Sequence, residues 1–565
     1  MNRIKILLSL ILTIFYMGSV VVAQFGPIGY DFGDPYIEFN NLRFAVRLST
    51  ESNIYCPDKS SVVISTPSPD QIVVSSKVLS SAGGQLTING YLEMTITKVG
   101  NNRMSVSTKG SHPTEIAKTI QVLVKGIDVK SFVSEYHQAK GVNEFVKKDI
   151  MVSYPSRSAT MPLVFITTPT EEWFVLSKDK ELRRKAFACS YDHLTKEPVV
   201  LLSHDEDARK RLKYIESPDW IIGSGETRLN VVEERCEDLE KNFNLIPYKE
   251  KADIKWIDEL KVVSFFHGIH WTGHMFNTYE QIGDQIEWIC ETVDGKNVLA
   301  FLPAWDGRYY GTYPEHKPDE RMGGEEGLKK LVERSHKLGA KVVLMLGGPN
   351  LSTFKFLKEN DMMDAALKGA DGYPQVQNWL DWNIDLSIET MGLIMNFGNP
   401  KYRDYMINKT SELFDDFDVD GVFLDGALRW DNSPDYSSYE GLIEYTSRLR
   451  RKHPSKMLMG EDGYDVIYGL FDMFHTSGGP MGLENFMLRY ARQFYYLSYP
   501  AENGSAGVHE IGWSNDSPTI INAQPDFTIP TISMLNGIID THGETIKKKL
   551  IEYKKWRLKE TPIMD

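Results

Sequence analysis

The chain has 565 residues, of which 42% are hydrophobic and 25% are charged, and it carries a formal net charge of -14. This length suggests two or more domains, and this composition is sufficient to bury a large core. The negative charge argues against a nucleic-acid or anionic-membrane partner, because binding to phosphate groups requires a basic surface.

The N-terminal residues have the pattern of a secretion signal. Arg3 and Lys5 precede a nearly continuous apolar run over residues 6–16, and VVA at 21–23 offers a small-residue cleavage site. An uncleaved membrane anchor is the alternative. No later segment reaches the roughly 18 apolar residues of a membrane-spanning helix. We therefore expect a signal peptide over residues 1–23 and a mature protein without a membrane span, exported to the periplasm or secreted.

Residues 24–204 are predicted to form a β-sandwich domain. The sequence there is a series of short runs that alternate apolar and polar residues, such as QIVVSS at 71–76 and RMSVSTK at 103–109. Turn residues separate the runs, and the alternation is typical of half-buried antiparallel strands. Residues 205–258 are more charged and contain the helical pattern VVEERCEDLEKNF, so we interpret them as a helical connector.

From residue 259 the pattern changes to alternating strands and helices. Eight apolar runs are predicted as strands, at 262–269, 298–305, 341–348, 421–427, 456–462, 473–478, 507–513 and 528–535. The clearest helical patterns lie at 326–340, 402–417, 438–453, 484–499 and 544–557. This alternation over residues 259–565 predicts a (β/α)8 TIM barrel, in which residues 349–400 elaborate the loop after the third strand. A doubly wound open sheet is the competing interpretation, although the first strand lacks the glycine-rich turn that such sheets usually carry.

The four cysteines, Cys56, Cys189, Cys236 and Cys290, show no C-x-x-C spacing. The spacing therefore gives little support to a zinc or redox motif. In an exported protein they can form disulfides in any of three pairings, and four buried thiols are equally compatible with a chain of this size.

The strands DGVFLDGA (420–427) and KMLMGED (456–462) both end in acidic residues. In a (β/α)8 barrel the active site lies at the carboxyl ends of the strands, so Asp425 and Glu461 are predicted to face one cleft. Neighbouring strands lie about 4.8 Å apart, which allows two carboxylates roughly 5 Å apart, the separation of a retaining glycosidase pair. Two alternatives stay open: Asp425 can be a simple turn residue, and Asp462 can replace Glu461 because consecutive strand residues face opposite sides.

Polar and aromatic residues at the strand ends are candidate sugar ligands. Sugars present apolar C–H faces and polar rims, so their sites combine aromatic platforms with hydrogen-bonding groups. The predicted substrate-binding residues are His267, His270, Trp271, Trp305, Asp306, Arg429, Trp430 and His475. Any of these tryptophans can instead fill the top of the barrel. A metal site on His267, His270 and His274 is another alternative, but the spacing fits no standard ligand set, so we predict no metal and no organic cofactor.

A resemblance to a known superfamily adds roles for the two acids. The residues NPKYRDYMINKTSELFDDFDVDGVFLDGA (399–427), followed by GEDGYD (460–465), resemble the barrel core of bacterial glycoside hydrolases. The superfamily includes α-galactosidases, α-amylase-type enzymes and endo-α-N-acetylgalactosaminidases. The resemblance implies a nucleophilic aspartate at the end of the fourth strand, here Asp425, and, in the latter two groups, a glutamate acid/base at the end of the fifth, here Glu461. The chain departs from the K-x-D strand of classical α-galactosidases, since it has F-L-D there.

The leading hypothesis is an exported, retaining glycoside hydrolase that acts on an oligosaccharide or polysaccharide, with α-linked bonds favoured by the resemblance. Asp425 is expected to be the nucleophile and Glu461 the general acid/base. A non-catalytic carbohydrate-binding protein on a barrel scaffold is the alternative, and a metal-dependent hydrolase using the first-strand histidines is a third hypothesis. The sequence carries no signal for the oligomeric state.

Overall fold

The fold is described from a computed structural model of the chain. The described residues are 29–31, 34–81, 84–134, 138–140, 144, 148–193, 195–251, 254–269, 274–307, 312–377, 392–427, 429–476, 483–495 and 527–558. The chain divides into two compact units between Glu234 and Arg235. The predicted bounds of the three segments, 24–204, 205–258 and 259–565, stay predictions. None of the helices within the described ranges is both long enough and apolar enough to cross a membrane.

The first unit is built from antiparallel strands. In chain order its strands are β1 (Gly29–Asp31), β2 (Asp34–Phe39), β3 (Leu42–Thr50), β4 (Ile54–Pro57), β5 (Val63–Ser68), β6 (Gln71–Ser81), β7 (Leu86–Lys98), β8 (Arg103–Ser111), β9 (Ala117–Lys125), β10 (Ser131–Val133), β11 (Gln138–Lys140), β12 (Ile150–Tyr154), β13 (Leu163–Thr167), β14 (Glu172–Ser177), β15 (Lys185–Asp192), β16 (Glu197–Asp205), β17 (Tyr214–Glu216) and β18 (Trp220–Ser224). The prediction of an extensive antiparallel β-region is confirmed.

The strands of this unit form two ladders. One runs β2-β3-β9-β16-β15-β12, and the other runs β10-β13-β14-β18-β8-β7-β6-β5. Strand β8 alternates strictly between buried and half-buried residues, which is the period expected of a strand with one face in the core. Phe187 of β15 and Trp220 of β18 meet edge to face, with ring centroids 5.6 Å apart. Side chains of the two ladders therefore pack against each other.

The second unit alternates strands and helices. After α1 (Arg228–Asn242), whose residues span the division between the units, the elements are β19 (Val262–Phe266), α2 (Tyr279–Cys290), β20 (Val298–Leu302), α3 (Gly324–Leu338), β21 (Lys341–Leu346), β22 (Leu351–Thr353), α4 (Phe354–Glu359), β23 (Val376–Gln377), β24 (Gly392–Ile394), α5 (Pro400–Phe417), β25 (Gly421–Leu424), α6 (Ser438–Lys452), β26 (Met457–Glu461), β27 (Met473–Thr476), β28 (Arg492–Tyr495), β29 (Thr531–Met534) and α7 (Ile538–Tyr553).

Eight of these strands form one parallel sheet that closes nearly completely. Their order is β28-β27-β26-β25-β21-β20-β19-β29. The two outer strands meet through a parallel bridge between Phe494 and Ile529, and the amide of Ile529 donates to the carbonyl of Gln493 at 2.9 Å. The predicted eight-stranded parallel barrel is thereby confirmed, and the open doubly wound sheet is not observed among the described strands.

Apolar side chains from alternate strand residues fill the interior of the barrel. The Phe301 ring lies 5.0 Å from Phe265 and 4.9 Å from Phe423, centroid to centroid. The same buried cluster includes Val263, Leu299, Val343, Met345, Met459, Met473 and Phe494. The interior is therefore a packed core, and a ligand site on this unit must lie at one end of the strands.

The seventh strand differs from the prediction. The helix predicted over 484–499 is wrong, because the chain there forms a short 3-10 helix at Leu483–Arg489 and then strand β28. Short apolar runs cannot be assigned to helix or strand by periodicity alone, and here Phe494 is needed in the barrel interior beside Phe265. The strand predicted at 507–513 lies outside the described residues.

Residues 349–400 elaborate the connection after the third barrel strand, as predicted. Strands β22, β23 and β24 form a small antiparallel sheet there. Helix α5 then begins at a clear signal: the side chain of Asn399 accepts from the amide of Tyr402 at 3.1 Å, and Pro400 occupies the first turn. This helix leads directly into β25, the strand that ends at Asp425.

Candidate active site at the carboxyl ends of the barrel strands

Asp425 and Glu461 lie at the ends of two adjacent parallel strands. In the register of β25 and β26, Leu424 pairs with Gly460, so the next residue of each strand is the acid. The amide of Gly426 donates to Oε2 of Glu461 at 2.8 Å. The Glu461 carboxylate therefore contacts the peptide that directly follows Asp425, which brings the two predicted acids together at one rim.

The backbone turn at Gly426 makes this contact possible. Gly426 has φ +62, in the left-handed region, and a Cβ on this residue would lie 2.5 Å from Cγ of Asn350. Only glycine adopts that conformation without strain and leaves Asn350 its place. A glycine after the strand-end aspartate thus turns its amide towards the neighbouring strand and makes room for a side chain from the third-strand loop.

Asp425 sits in a polar network at the rim. Its amide donates to the carbonyl of Leu346 at 3.0 Å, which extends the strand pairing by one residue. Its Oδ2 lies 3.5 Å from Nδ2 of Asn350, a long hydrogen bond. Asn350 in turn accepts from Nε of Arg429 at 3.0 Å, and the Arg429 guanidinium also donates to Oε1 of Gln377 at 3.0 Å. The side chain of Asn350 thus bridges the half-buried Asp425 and the guanidinium of Arg429.

The two acids differ in exposure and in partners. Glu461 is 5% exposed, and its known partner is a backbone amide. Asp425 is half-buried and has a neutral side-chain amide at hydrogen-bond distance. Asp462, the alternative acid, has φ +47 and donates its own amide to the carbonyl of His475 at 3.1 Å. The contact with Gly426 favours Glu461 over Asp462 as the partner of Asp425.

Three predicted sugar ligands lie inside the barrel top and offer no surface to a substrate. Trp305 is 0% exposed, and its indole N–H donates to the carbonyl of Met345 at 2.8 Å. His475 is also 0% exposed, with its ring 5.3 Å from Phe494. This burial argues against the predicted roles of Trp305 as an aromatic platform and of His475 as a hydrogen-bonding partner of the sugar. A residue at a strand end can still point into the core, and Trp305 matches the alternative of a barrel plug.

His267 is the third buried residue of this group. It is 0% exposed, and its ring meets Phe276 edge to face at 5.1 Å. Its carbonyl accepts from Nδ2 of Asn277 at 2.8 Å. His270 and Trp271, predicted beside it, lie outside the described residues. Across the part of the chain that is described, no group of three His, Cys, Asp or Glu side chains is arranged to hold a metal ion.

Asp306 organises the rim at the end of the second strand. Its Oδ2 lies 2.7 Å from Nδ1 of His316, and Nε2 of His316 accepts from the amide of Gly348 at 3.0 Å. The tautomer with its proton on Nδ1 satisfies both contacts. Asp306 is 8% exposed. Its carboxylate positions His316 against Gly348, just after the third barrel strand.

Arg429 and Trp430 are the predicted ligands that stay half-buried at the rim. Next to them, Asp431 accepts a hydrogen bond from the side chain of Gln375. Sequence reasoning missed His316, Gln375 and Gln377, because they come from loops without any periodic pattern. The site as described combines two carboxylates, a guanidinium and several amides, which is a set of groups suited to hydroxyl-rich ligands.

No disulfide joins the four cysteines, all of which belong to the described part of the chain. Cys189 and Cys236 are fully buried. Burial raises the pKa of the Cys189 thiol to about 12, so this group stays protonated at neutral pH. The choice between disulfides and thiols is settled for this structure in favour of thiols.

Comparisons with known proteins agree on the architecture. No protein-family model matches the chain. The alpha-N-acetylgalactosaminidase NagBb of Bifidobacterium bifidum in its GalNAc complex has a TM-score of 0.62 at 11% identity, over 86% of each chain. Its ligand-free form has a TM-score of 0.60 at 11% identity, over 85% of this chain and 86% of that one. At 11% identity the structural similarity shows a shared fold only. The predicted resemblance to glycoside-hydrolase barrel proteins is therefore confirmed for the fold.

A second likeness covers a shorter segment. The 1,4-alpha-glucan branching enzyme GlgB of Nitratidesulfovibrio vulgaris strain DP4 is 26% identical over 164 residues, which are 28% of this chain and 23% of that enzyme. The chain therefore matches less than two thirds of the curated relative's length.

Proposed function

We propose that the chain is a glycoside hydrolase in which Asp425 and Glu461 act together on one glycosidic bond. The observation that carries the proposal is the hydrogen bond from the Gly426 amide to Glu461. It joins two acids from adjacent strands at the rim where barrel enzymes carry their active sites. The fold shared with a protein named as an alpha-N-acetylgalactosaminidase supports the same conclusion.

The proposed mechanism is retaining. Asp425 attacks the anomeric carbon and forms a glycosyl ester, while Glu461 gives its proton to the leaving oxygen. Glu461 then takes a proton from water, and the hydroxide displaces Asp425, which leaves as a carboxylate. The Gly426 amide, which donates to Oε2 of Glu461, orients this carboxyl group for the proton transfer.

The proposed substrate is an oligosaccharide or polysaccharide with α-linked sugars. The names of the NagBb enzyme and of the branching enzyme both contain the word alpha. Arg429, Asn350 and Gln377 form a connected set of donors and acceptors around Asp425. Such a set can form hydrogen bonds with the hydroxyl groups of a sugar. We assign the half-buried Trp430 to the sugar face, and we keep His270 and Trp271 as predicted ligands.

The proposed place of action is outside the cytoplasm. Its support is the charged, apolar and small-residue pattern of residues 1–23. Expression of the full chain with detection of the processed N-terminus by mass spectrometry tests it. A mature chain that still begins with Met1 in the cytoplasmic fraction contradicts the export proposal.

A screen of aryl α- and β-glycosides with four variants tests the chemistry. We expect Asp425→Asn to abolish turnover and Glu461→Gln to lower it about 10²–10⁴-fold, the contribution of general acid–base catalysis. The matched controls are Asp361→Asn and Glu325→Gln, whose side chains are exposed on the surface, and both should keep wild-type turnover. Full activity in Asp425→Asn rejects the nucleophile assignment.

An azide experiment separates the two roles. With Glu461→Ala and a 2,4-dinitrophenyl glycoside, the leaving group needs no acid, so the glycosyl ester should accumulate and azide should release it. The released glycosyl azide should keep the anomeric configuration of the substrate, as NMR can establish. An inverted product contradicts the retaining mechanism, and glycan binding by a wild type without turnover of any glycoside in the screen identifies a binding protein instead.

A further inference from the structure

A second cavity lies at the opposite end of the barrel, away from Asp425 and Glu461. Its volume is about 870 Å³, within the roughly 300–1,000 Å³ of small-molecule sites. Asp472, directly before β27, and Arg492, the first residue of β28, both line it. Because the barrel strands are parallel, these positions lie at the amino ends, and we refer to this cavity as the basal pocket.

The basal pocket carries more positive than negative charge. Among the described residues that line it, Lys249, Lys251, Lys255, Arg450 and Arg492 are cationic, and Asp258 and Asp472 are acidic. The whole chain has a net charge of -14, so the local charge of this cavity is opposite in sign to the net charge of the protein. A local excess of this sign raises the concentration of anions at the site.

The two arginines of the pocket are matched by the two acids. Arg492 donates through Nε to Asp258 at 2.7 Å, and its guanidinium stacks 3.9 Å above the ring of Tyr248. Arg450 donates to Oδ1 of Asp472 at 3.1 Å. These pairs fix the pocket wall, and each guanidinium has its counter-charge within the protein.

Lys251 is held by backbone carbonyls. Its Nζ donates to the carbonyls of Tyr490 at 2.7 Å and Phe471 at 3.1 Å. Among the described residues no carboxylate lies within ion-pair distance of it. Burial lowers the pKa of Lys251 to about 8. The negative charge of Asp472 partly opposes this shift, and the positive charge of Arg450 adds to it. The ammonium is therefore still protonated at neutral pH, with two of its three N–H groups used, and burying such a charge without an anion is costly.

Part of the pocket wall is apolar, whereas Asn244, Thr446 and Ser447 add neutral polar groups to it. The apolar part is formed by Phe243, Leu245, Ile246, Ile443, Val466 and Leu470. Ile246 is 54% exposed, so this part of the wall is accessible from solvent. A ligand that fills this space thus meets the Lys251 ammonium on one side and an apolar surface on another.

We propose that the basal pocket binds a small organic anion, with a carboxylate or phosphate head at Lys251 and an apolar body against the aliphatic wall. The inference goes beyond the proposed hydrolase and does not depend on it, because the pocket shares no residue with the rim. The competing explanation is that Lys251 only ties the chain at Phe471 to the chain at Tyr490.

Calorimetric titration of the purified full chain at low salt distinguishes the two explanations. The probes are phenyl phosphate and phenylacetate, which separate a phosphate from a carboxylate head, and 2-phenylethanol as the neutral counterpart. We expect at least one anion to bind and the neutral probe to bind at least tenfold more weakly. Lys251→Met should weaken anion binding about 10- to 100-fold, the loss of one charge-assisted hydrogen bond.

Two further variants keep the test decisive. Ser447→Trp fills the pocket from helix α6 without removing a charge and should also abolish anion binding, so it serves if Lys251→Met fails to fold. Lys337→Met removes an exposed lysine of α3 that does not line the pocket and should bind like the wild type. The proposal is overturned if neither anion binds the wild type, or if binding survives unchanged in Ser447→Trp. Circular dichroism and thermal unfolding verify that each variant is folded, and glycoside turnover plays no part in the readout.

Discussion

Replacing Gly426 by alanine perturbs the candidate active site through the backbone alone. Gly426 adopts φ +62, and a left-handed conformation costs an L-residue about 1–2 kcal/mol. The new methyl group would also lie 2.5 Å from Cγ and 2.7 Å from Cβ of Asn350. Both distances are far inside van der Waals contact, so Asn350 must move. Overpacking of this kind adds about 1–3 kcal/mol, and the total loss of unfolding free energy should be about 2–5 kcal/mol.

Gly372 provides a matched control for the conformational part of that cost. It has φ +85, and a Cβ there meets nothing within 4 Å. Gly372→Ala should therefore lose only the roughly 1–2 kcal/mol of left-handed strain. The difference between the two variants in urea denaturation measures what the displacement of Asn350 costs.

Turnover should fall together with stability. Asn350 lies against Asp425 and Arg429, and the Gly426 amide holds Glu461. Displacing reacting groups by about 1 Å can cost 10²-fold in rate, so kcat/KM of Gly426→Ala on the active aryl glycoside should fall by about that factor. If Gly426→Ala matches Gly372→Ala in unfolding free energy and in turnover, the rim geometry described here is refuted.

Three other substitutions test the surrounding structure. Trp305→Phe removes the donor to the Met345 carbonyl and should lower the unfolding free energy by about 1–3 kcal/mol. The KM should stay unchanged, and a raised KM would show that Trp305 contacts the substrate. Arg235→Leu leaves the 0%-exposed carboxylate of Asp465 without its ion pair and should cost about 3–5 kcal/mol, whereas the double variant Arg235→Leu/Asp465→Leu should recover much of that loss. Asp420→Asn should cost about 1.5–3 kcal/mol at pH 7, measured by urea denaturation. Although burial opposes it, hydrogen bonds and charges from His336, Lys341 and the Val342 amide hold the pKa of Asp420 below its ordinary value. Its stabilising effect is therefore full above the unfolded pKa of about 3.9 and is lost as pH falls through the folded pKa, so the difference between variant and wild type should shrink below that pH.

The barrel could be predicted from the sequence because its strands are buried on both faces. Runs such as that ending at Asp425 are continuously apolar, and this pattern needs no knowledge of tertiary contacts. The strand at 492–495 escaped prediction because its aromatic residues fit a helix face equally well. The segment forms a strand because it fills the gap in the barrel between β27 and β29, where Phe494 pairs with residues on both sides.

The two acids of the candidate site, together with Asp306, Arg429 and Trp430, were accessible to sequence reasoning, whereas its loop residues were not. Asp425 and Glu461 each follow an apolar strand directly, so the local pattern contains the information. His316 and Gln377 reach the rim through long connections, and no spacing in the sequence relates them to Asp306 or Arg429. Trp305 follows a strand in the same way as the acids, but the sequence does not state which side of the rim a side chain faces.

The two ends of strand β25 carry acids with different surroundings. Asp420, just before the strand, accepts from Lys341, from the Val342 amide and from Nε2 of His336, each at 2.9 Å. Asp425, just after it, has a neutral amide at 3.5 Å and remains half-buried. Three short, partly cationic contacts immobilise the Asp420 carboxylate and stabilise its charge, which is typical of an acid that contributes to folding stability. Asparagine at 420 should therefore lower stability and spare turnover per folded molecule, and asparagine at 425 should do the reverse.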